Sequence, residues 1–302
     1  MTDALIFDRA ALRQHRDRAA LLGTAEFLFE TAADQLAERL EDITRTFPQA
    51  LVLGARNGIM ARALRGRFGI TQLIEADDSC RFLARAPGGL RVAAEGEALP
   101  FSRAAFDLVL SPLALHWTND LPGALLQLRQ CLKPDGLLLA ALLGGETLPE
   151  LRTALVAAET IEEGGASPRV SPMADGRDLA GLLQRAGFAL PVVDSNRITA
   201  TYSDAFALMR DLRAMGETNT LLERRRRFTR RSTLLRMAQI YRDRFGDATG
   251  RIKASFEIVT LTAWAPHDSQ PKPLRPGSAA MRLAEALGTQ EKSAGEKAGP
   301  GS

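Results

Sequence analysis

Short apolar segments that alternate with helical segments are the feature that most constrains how this chain can fold. The first apolar segment, residues 50–53, ends in Gly54 and leads into a helix that begins near Gly58. Further strands are predicted at residues 72–76, 90–93, 106–110, 137–142, 190–194 and 255–264. Alternation of strands and helices is typical of a parallel sheet with helices on its faces. The sequence therefore predicts an α/β fold.

The length and the composition of the chain suffice for a single folded domain. The 302 residues are 45% hydrophobic, and an α/β chain of this length can bury one sizeable core without dividing into two. Helices are predicted to precede the sheet at residues 1–45 and to form a cap at about residues 147–175 and 203–246. Sheet and cap together occupy residues 46–264, and the proline-rich residues 265–302 are predicted to be a disordered tail.

Neither the cysteines nor the hydropathy point to an exported or membrane-spanning protein. Cys80 and Cys131 match neither a disulfide framework nor a zinc-ligand spacing, which is typical of a reducing compartment. The longest purely apolar run, residues 137–143, is far shorter than the roughly 20 residues that cross a bilayer. The charged N-terminus fits neither a secretory signal nor a transit peptide. We therefore expect a cytoplasmic protein without a transmembrane segment, for which peripheral association with a membrane stays open.

Glycine and carboxylate residues follow the first two predicted strands. Ligands of parallel sheets bind outside the carboxyl ends of the strands, so these residues are the first candidates for a binding site. Gly54 and Gly58 bracket a turn in which the backbone can closely approach a nucleoside or an amino-acid moiety. Asp77 ends the second strand about 20 residues later, where its carboxylate can accept both hydroxyls of a ribose. An ordinary strand-to-helix turn and a helix cap by Asp77 or Asp78 are the alternative interpretations.

The third and fourth strands end in residues that complete this candidate site. Glu95 and Gly96 follow the third strand, where a carboxylate can accept the adenine amino group; an exposed, solvated glutamate is the alternative. Ser111 ends the fourth strand, and His116 and Trp117 follow it on the side expected for the substrate. His116 is the candidate catalytic residue, as a base or a substrate contact, with stacking near a helix start as the alternative. Trp117 is predicted to form a wall of the substrate pocket.

Five motifs taken together resemble those of the class I S-adenosylmethionine-dependent methyltransferases. They are Leu-Gly-x-x-x-Gly58, Glu-Ala-Asp77, Leu-Pro-Phe101, Phe-Asp-Leu-Val at residues 106–109 and Leu-Lys-Pro-Asp-Gly136. The resemblance implies a Rossmann-like, mostly parallel seven-stranded sheet with a helical cap insertion and S-adenosyl-L-methionine as the cofactor. It also implies that the cofactor is bound by Gly54, Gly58, Asp77, Glu95, Gly96 and Ser111. A nicotinamide dehydrogenase, the alternative of similar fold, would need a fuller Gly-x-Gly-x-x-Gly turn and a second nucleotide-binding half.

The chain beyond the fifth predicted strand narrows the family. The stretches Gly144-Gly-Glu-Thr-Leu-Pro-Glu-Leu-Arg152 and Met215-Gly-Glu-Thr-Asn219 resemble the methyltransferase-like complex I assembly factors of mitochondria and their bacterial relatives. That resemblance implies a protein substrate, a subunit of respiratory complex I, and the mitochondrial member is regarded as hydroxylating an arginine. The malonyl-acyl-carrier-protein O-methyltransferases of biotin synthesis share the cofactor motifs and a helical cap. They are the alternative, with acyl carrier protein as the partner.

Two residues depart from the family pattern at the cofactor turn. Val52 stands where an acidic residue is usual, and Arg56 stands where the central glycine of the turn is usual. An arginine there could clash with the methionine portion of the cofactor, repel its sulfonium or pair with its carboxylate. A third interpretation follows from these departures, in which the chain is a non-catalytic assembly chaperone with weakened cofactor binding.

Arginines beyond the sheet are the candidates for substrate and partner binding. Methylation of a malonyl carboxylate needs no base but does need cationic anchors, for which Arg152 and Arg169 are candidates. The arginine cluster at residues 224–231 favours either a solvated helix face or contact with an acidic partner. Nucleic acid is not expected as a partner, since Phe228 is the one aromatic residue in that cluster.

Hydroxylation would need oxygen activated by a metal or an organic cofactor, and the usual non-heme iron site uses two histidines and one carboxylate. The three histidines of the chain, His15, His116 and His267, show no ligand spacing. No metal site is therefore predicted.

Overall fold

Seven strands form one sheet in the computed structural model, which describes residues 5–23, 25–87, 89–271, 285 and 287–290. The strands are β1 (Gln49–Leu53), β2 (Gln72–Asp77), β3 (Leu90–Ala93), β4 (Phe106–Pro112), β5 (Leu132–Leu143), β6 (Ala189–Tyr202) and β7 (Ile252–Trp264). Their spatial order is β3-β2-β1-β4-β5-β7-β6. Strand β7 runs antiparallel to both of its neighbours, and the other pairings are parallel. The predicted mostly parallel seven-stranded sheet is confirmed.

The strand order reverses at β1, which pairs with β2 on one side and with β4 on the other. Leu53 of β1 lies opposite Ala76 of β2, and Val52 lies opposite Leu110 of β4. A crevice therefore opens between the carboxyl ends of β1 and β4, where parallel sheets of this kind bind ligands. The turn after β1 and the loop after β4 meet at this edge.

Nine α-helices surround the sheet within the described residues. They are α1 (Arg9–Leu22), α2 (Phe27–Glu41), α3 (Ile59–Leu64), α4 (Cys80–Arg85), α5 (Leu121–Cys131), α6 (Pro149–Glu163), α7 (Gly176–Arg185), α8 (Ala205–Met215) and α9 (Arg231–Phe245). A 3₁₀ turn, Leu115–Trp117, follows β4. Helix α1 begins after Asp8, whose side chain accepts the N–H of Ala11, and it ends at Gly23, which has a φ of 78°.

Each face of the sheet buries its own apolar layer, because successive residues of a strand point to opposite faces. In β5, Leu137 and Leu139 pack with α2, α3, α6, α8 and α9 on one face. Leu138 and Leu142 pack with α5 and α7 on the other face. Since both faces are covered, the strand reads as a continuous apolar run instead of an alternating one. The helices α6, α8 and α9, which form the cap, share a face with α2.

Three stretches differ from the predicted elements. Strand β6 is longer than the predicted residues 190–194, because it pairs along β7 as far as Tyr202, while the exposed residues of the added part, 195–201, are polar. Strand β5 begins at Leu132 and not at the predicted residue 137, so the motif Leu-Lys-Pro-Asp-Gly136 lies inside a strand with a register shift. The predicted helical stretch 203–246 is interrupted between α8 and α9, since Gly216 ends α8 with a φ of 79°.

Most of the predicted disordered tail, residues 265–302, lies outside the described residues, which include only 265–271, 285 and 287–290 of it. The assignment of disorder and the division of the chain at residues 45 and 264 stay predictions. Within the part of the chain that the structure describes, no helix combines the length and the apolar character that a bilayer crossing requires.

Candidate active site

The turn after β1 is built around Gly54. Its φ is +81°, and a Cβ atom at this position would lie 2.4 Å from the Cβ of Ala114 in the loop after β4. Its N–H donates to the carbonyl of Ala76 at 2.8 Å. Glycine is therefore required both by the backbone conformation and by the close approach of the β4 loop. Gly58 has a φ of +78° and begins α3, where an added Cβ would lie 2.2 Å from Pro87.

Asp77, at the end of β2, joins two turns through its buried carboxylate. Oδ2 accepts the backbone N–H of Arg56 at 2.8 Å, and Oδ1 accepts the N–H of Ser79 at 2.9 Å. Burial is the main cause that raises the pKa of Asp77 to about 6, and the nearby Asp78 adds to the effect against the opposing charge of Arg16. Helix α4 is capped by Ser79, so Asp77 is not its capping residue.

Helix α1 lies across these strand ends and is held there by three arginines. Arg16 pairs with Asp78 at 2.7 Å, with the two side chains only 8% and 5% exposed. Although burial raises the pKa of Asp78, the charge and hydrogen bond of Arg16 lower it below its ordinary value. Arg9 lies 3.5 Å from Glu95, and Arg13 pairs with the same carboxylate. Carboxylates that follow β2 and β3 are thus bound to the protein's own helix.

A narrow cavity remains between α1 and the carboxyl ends of the strands, and we call it the strand-end cavity. Its walls include Leu12, Arg16, Gly54, Asp77, Gly96 and Trp117. The space that the centre of a water molecule can reach is about 20 Å³, room for about one or two waters. Three other predicted cofactor residues do not line it, and one of them is Gly58, which precedes α3. Glu95 is half-exposed beside Arg9, and Ser111 is fully buried at the end of β4.

Glu217 forms a buried polar cluster with the predicted substrate-side residues. Its Oε2 lies 3.1 Å from Nε2 of His116 and accepts the indole N–H of Trp117. The side chains of Glu217 and His116 are 4% and 1% exposed. His116, the predicted catalytic residue, lines neither the strand-end cavity nor the neighbouring pocket, because its ring is turned towards Glu217. The geometry makes it a partner of that carboxylate.

Sequence reasoning did not identify Glu217 as a site residue. It belongs to the segment Met215-Gly-Glu-Thr-Asn219, which was singled out only for its resemblance. The acid follows the glycine that ends α8, and this position alone does not distinguish it from an exposed loop residue. Its partners His116 and Trp117 lie about a hundred residues earlier, at separations of 101 and 100 positions.

The side chain of Arg56 is packed inside the protein, although its position in the turn suggested contact with a cofactor. Its guanidinium lies 3.6 Å from the ring centroid of Phe29 and 4.4 Å from that of Phe82, and it donates to the carbonyl of Met215 at 2.6 Å. Burial lowers the pKa of Arg56 to about 10, against the opposing charge of Glu217. The side chain is held by the protein and does not line the strand-end cavity. Val52 is fully buried in the core.

A larger pocket, which we call the cap pocket, lies between α1, α6, α8 and the segment 216–230. The space in it that the centre of a water molecule can reach is about 370 Å³. Trp117 lines both cavities. Arg169 also lines the pocket, and its Nε donates to Glu159 at 2.7 Å. Arg152 does not, because Leu151 and Leu155 of α6 face the pocket and the next residue after Leu151 is rotated away by about 100°.

The arginine cluster at residues 224–231 is partly fixed to the fold. Arg224 pairs with Asp8 at 2.8 Å, and Arg225 pairs with Glu163 at the end of α6. Phe228 is fully exposed. Among the residues that the structure describes, no group of three or more His, Cys, Asp and Glu side chains is arranged to hold a metal ion.

Known proteins resemble this chain over nearly its whole length. Residues 51–140 match the family described as "Methyltransferase domain". The protein named "Arginine-hydroxylase NDUFAF5, mitochondrial" of Danio rerio is 40% identical over 287 residues, which cover 93% of this chain and 89% of that protein. The human protein of the same name is 39% identical, with 93% and 83% covered. A malonyl-[acyl-carrier protein] O-methyltransferase of Laribacter hongkongensis is 35% identical over 284 residues, with 88% and 92% covered.

Solved structures share the fold. The YcgJ protein from Bacillus subtilis has a TM-score of 0.54 at 14% identity, covering 78% of this chain and 99% of that one. The phosphoethanolamine N-methyltransferase 2 of Haemonchus contortus, in complex with S-adenosyl-L-methionine, has a TM-score of 0.51 at 15% identity, with 85% and 60% covered. The expected Rossmann-like class I methyltransferase fold is thereby confirmed. The identity of 40% over nearly the whole length shows that the chain belongs to the methyltransferase-fold family that contains the NDUFAF5 arginine-hydroxylases.

Proposed function

We propose that this chain is an enzyme that modifies an arginine side chain of a protein during the assembly of respiratory complex I. The observation that carries the proposal is the adjacency of two cavities at Trp117, a narrow one at the strand ends and a cap pocket of about 370 Å³. A fold that binds a cofactor on one side of a shared wall and a side chain on the other can bring the two reactants together. The relatives named arginine-hydroxylases support arginine as the substrate.

S-adenosyl-L-methionine fits the chemistry of the residues around the strand-end cavity. The backbone at Gly54 forms a cradle that a Cβ atom would fill. Asp77 and Asp78, which line the cavity, supply carboxylate oxygens for ribose hydroxyls. The cavity is too small for the whole cofactor while α1 lies in this position. Binding therefore requires α1 to move away from the strand ends.

Each part of the site has a distinct task in this proposal. S-adenosyl-L-methionine, when bound, supplies a methyl group on a sulfonium. The backbone at Gly54 and the carboxylate of Asp77 bind and orient the nucleoside. Helix α1, once closed again through Arg16, excludes water from the strand ends. Trp117 separates this region from the cap pocket, and its indole is oriented by Glu217.

Peptide mapping by mass spectrometry tests the proposal. Complex I subunits are purified from cells that contain the chain and from cells that lack it. We expect an arginine in one subunit to carry the additional mass of an oxygen atom or of a methylene group only when the chain is present. Identical arginine masses in both preparations would contradict the proposed function. We propose a cytoplasmic location for this chain, whereas the NDUFAF5 relatives are named as mitochondrial, so subunit domains that face the cytoplasm are the first to analyse.

The alternative is methylation of malonyl-acyl-carrier protein, which the Laribacter hongkongensis relative supports. Arg169 at the cap pocket and the partly exposed arginine cluster would suit an anionic substrate on an acidic carrier. Complementation of a biotin-requiring strain that lacks its own O-methyltransferase tests this directly, and growth without biotin would favour the alternative. A chaperone without cofactor would show neither arginine modification nor calorimetric binding of S-adenosyl-L-methionine.

A further inference from the structure

Two buried polar side chains of the cap pocket have incomplete hydrogen bonds. Oε1 of Glu217 and Oγ of Ser171 have no hydrogen-bond partner among the described residues. Both residues line the pocket. The side chain of Glu217 is 4% exposed, and Ser171 as a whole residue is also 4% exposed. A buried acceptor without a donor has lost its hydrogen bonds to water without forming others in the protein, which is unfavourable. A ligand that brings N–H donors into the pocket would restore these bonds.

Glu217 also carries the charge that a cationic ligand requires. Burial raises the pKa of Glu217, but the hydrogen bond from His116 and the charges of His116, Arg16 and Arg56 lower it below its ordinary value. Oε2 is already used by His116 and Trp117. The nearest guanidinium is that of Arg56, whose Nη1 lies 3.6 Å from Oε1, beyond hydrogen-bond distance, while its Nη2 donates to the carbonyl of Met215. One oxygen of an ionised carboxylate is therefore left for a ligand.

The arginines around the cap pocket do not exclude a cation. Three of them are each paired with a carboxylate: Arg169 with Glu159, Arg225 with Glu163 and Arg224 with Asp8. The other two, Arg18 and Arg213, form no ion pair with the residues described in the structure and are exposed. They lie at the rim, where they would attract acidic residues that flank a side chain inserted into the pocket.

We propose that Oε1 of Glu217 accepts an N–H of the guanidinium group of a substrate arginine that enters the cap pocket. Ser171 offers a second acceptor in the same pocket, and Arg18 and Arg213 favour an acidic polypeptide around the arginine. The proposal rests on the proposed function for the choice of arginine as substrate. It adds the residue that selects the charged side chain.

Calorimetric titration of the full-length chain tests this selection with two probes of equal shape. N-acetyl-arginine methylamide carries the guanidinium, and N-acetyl-citrulline methylamide replaces it with a neutral urea group. We expect the arginine probe to bind about tenfold more tightly, since a charge-assisted hydrogen bond to a buried carboxylate is lost with citrulline. Glu217→Gln should reduce the difference to about twofold. The matched control is Glu223→Gln, an exposed acid outside the pocket lining, which should keep the wild-type difference.

Several outcomes would overturn the proposal and leave the proposed function standing. Equal binding of the two probes by the wild-type chain, or binding of neither, shows that the pocket does not select a guanidinium, and this decides the matter even if Glu217→Gln does not fold. An undiminished preference in a folded Glu217→Gln variant assigns the selection to another residue. Displacement of the arginine probe by S-adenosyl-L-methionine shows that Glu217 serves the sulfonium. The proposed function fails separately, if peptide mapping finds no modified arginine.

Discussion

Nη1 of Arg56 lies 3.6 Å from Oε1 of Glu217, and the two side chains are 6% and 4% exposed. One residue belongs to the turn after β1 and the other follows α8, so this pair connects the sheet to the cap. A second buried pair, Arg16 with Asp78, connects α1 to the end of β2. Removal of one member of such a pair leaves its partner buried without a counter-ion, which costs more than the pair itself contributes.

Glu217→Gln is therefore expected to destabilise the fold by about 3 kcal/mol at neutral pH. Glutamine preserves the shape but leaves Arg56 without a charged partner. Urea unfolding monitored by circular dichroism measures the change. Glu223→Gln removes an exposed carboxylate and should change the free energy of unfolding by less than about 0.5 kcal/mol. Equal stability of both variants would show that the buried pair is not held as described.

The difference in stability between wild type and Glu217→Gln should depend on pH. The pKa of Glu217 is lower in the folded chain than its ordinary value of 4.5, so its ionised form stabilises the fold above that pH. This stabilisation is lost as the pH falls through the folded-state pKa. The difference in unfolding free energy between wild type and Glu217→Gln should accordingly shrink in acid below about pH 4.5. A difference that grows towards low pH would contradict the assignment.

Arg16→Gln is expected to strengthen the apparent binding of S-adenosyl-L-methionine several-fold. Arg16 holds α1 over a cavity that is too small for the cofactor, and the apparent affinity rises with the fraction of molecules whose site is open. Arg18→Gln, two residues further along α1 and on its exposed side, is the control and should bind as wild type does. Calorimetry provides the affinities. Weaker binding by Arg16→Gln would mean that this side chain contacts the cofactor instead of blocking it.

The affinity for S-adenosyl-L-methionine should fall as the pH is lowered below about 6. Burial raises the pKa of Asp77 to about 6, and a protonated carboxyl is a poorer acceptor for ribose hydroxyls than the carboxylate. Affinity therefore decreases by up to tenfold per pH unit on the acid side. Asp77→Asn lacks the titrating group and should bind weakly with no such dependence. Titration of about one proton should change the wild-type affinity between pH 5 and pH 7. An affinity that stays constant over this range would rule out this role of Asp77.

Gly54→Ala and Gly66→Ala separate backbone strain from a steric clash. Both glycines have a left-handed φ, +81° and +70°, but an added Cβ meets Ala114 at 2.4 Å in the first case and nothing within 4 Å in the second. Gly66→Ala should lower the free energy of unfolding by about 1 kcal/mol, because alanine is disfavoured in the left-handed conformation. Gly54→Ala should cost at least about 2 kcal/mol more, because the β4 loop must shift. Thermal unfolding of the two variants measures this, and equal losses would contradict the close approach.

The sheet and its ligand-binding edge could be predicted because their signals are local. Short apolar runs indicate β1 to β5, and the carboxyl ends of parallel strands bring Gly54 and Asp77 to one edge of the sheet. The length of β6 could not be predicted, since it depends on pairing with β7 and not on its own exposed, polar residues.

The pairing of the buried charges in the site could not be predicted from the sequence, for a different reason. Each pair joins residues far apart in the chain, as in the bond between His116 and Glu217, which spans 101 positions. The sequence shows that α1 is basic but not that Arg16 reaches Asp78. For Arg56, the turn position indicated contact with the cofactor, whereas packing between Phe29 and Phe82 directs the side chain elsewhere.

A crystal structure of the chain grown with S-adenosyl-L-homocysteine tests the central claim most directly, namely that the strand ends hold an adenosyl cofactor beside the cap pocket. We expect the ribose at Asp77, the nucleoside against Gly54 and Gly96, and α1 displaced relative to β2 with Trp117 still between the two cavities. Crystals grown at millimolar ligand in which the strand ends hold no nucleoside and Arg16 remains paired with Asp78 would contradict it.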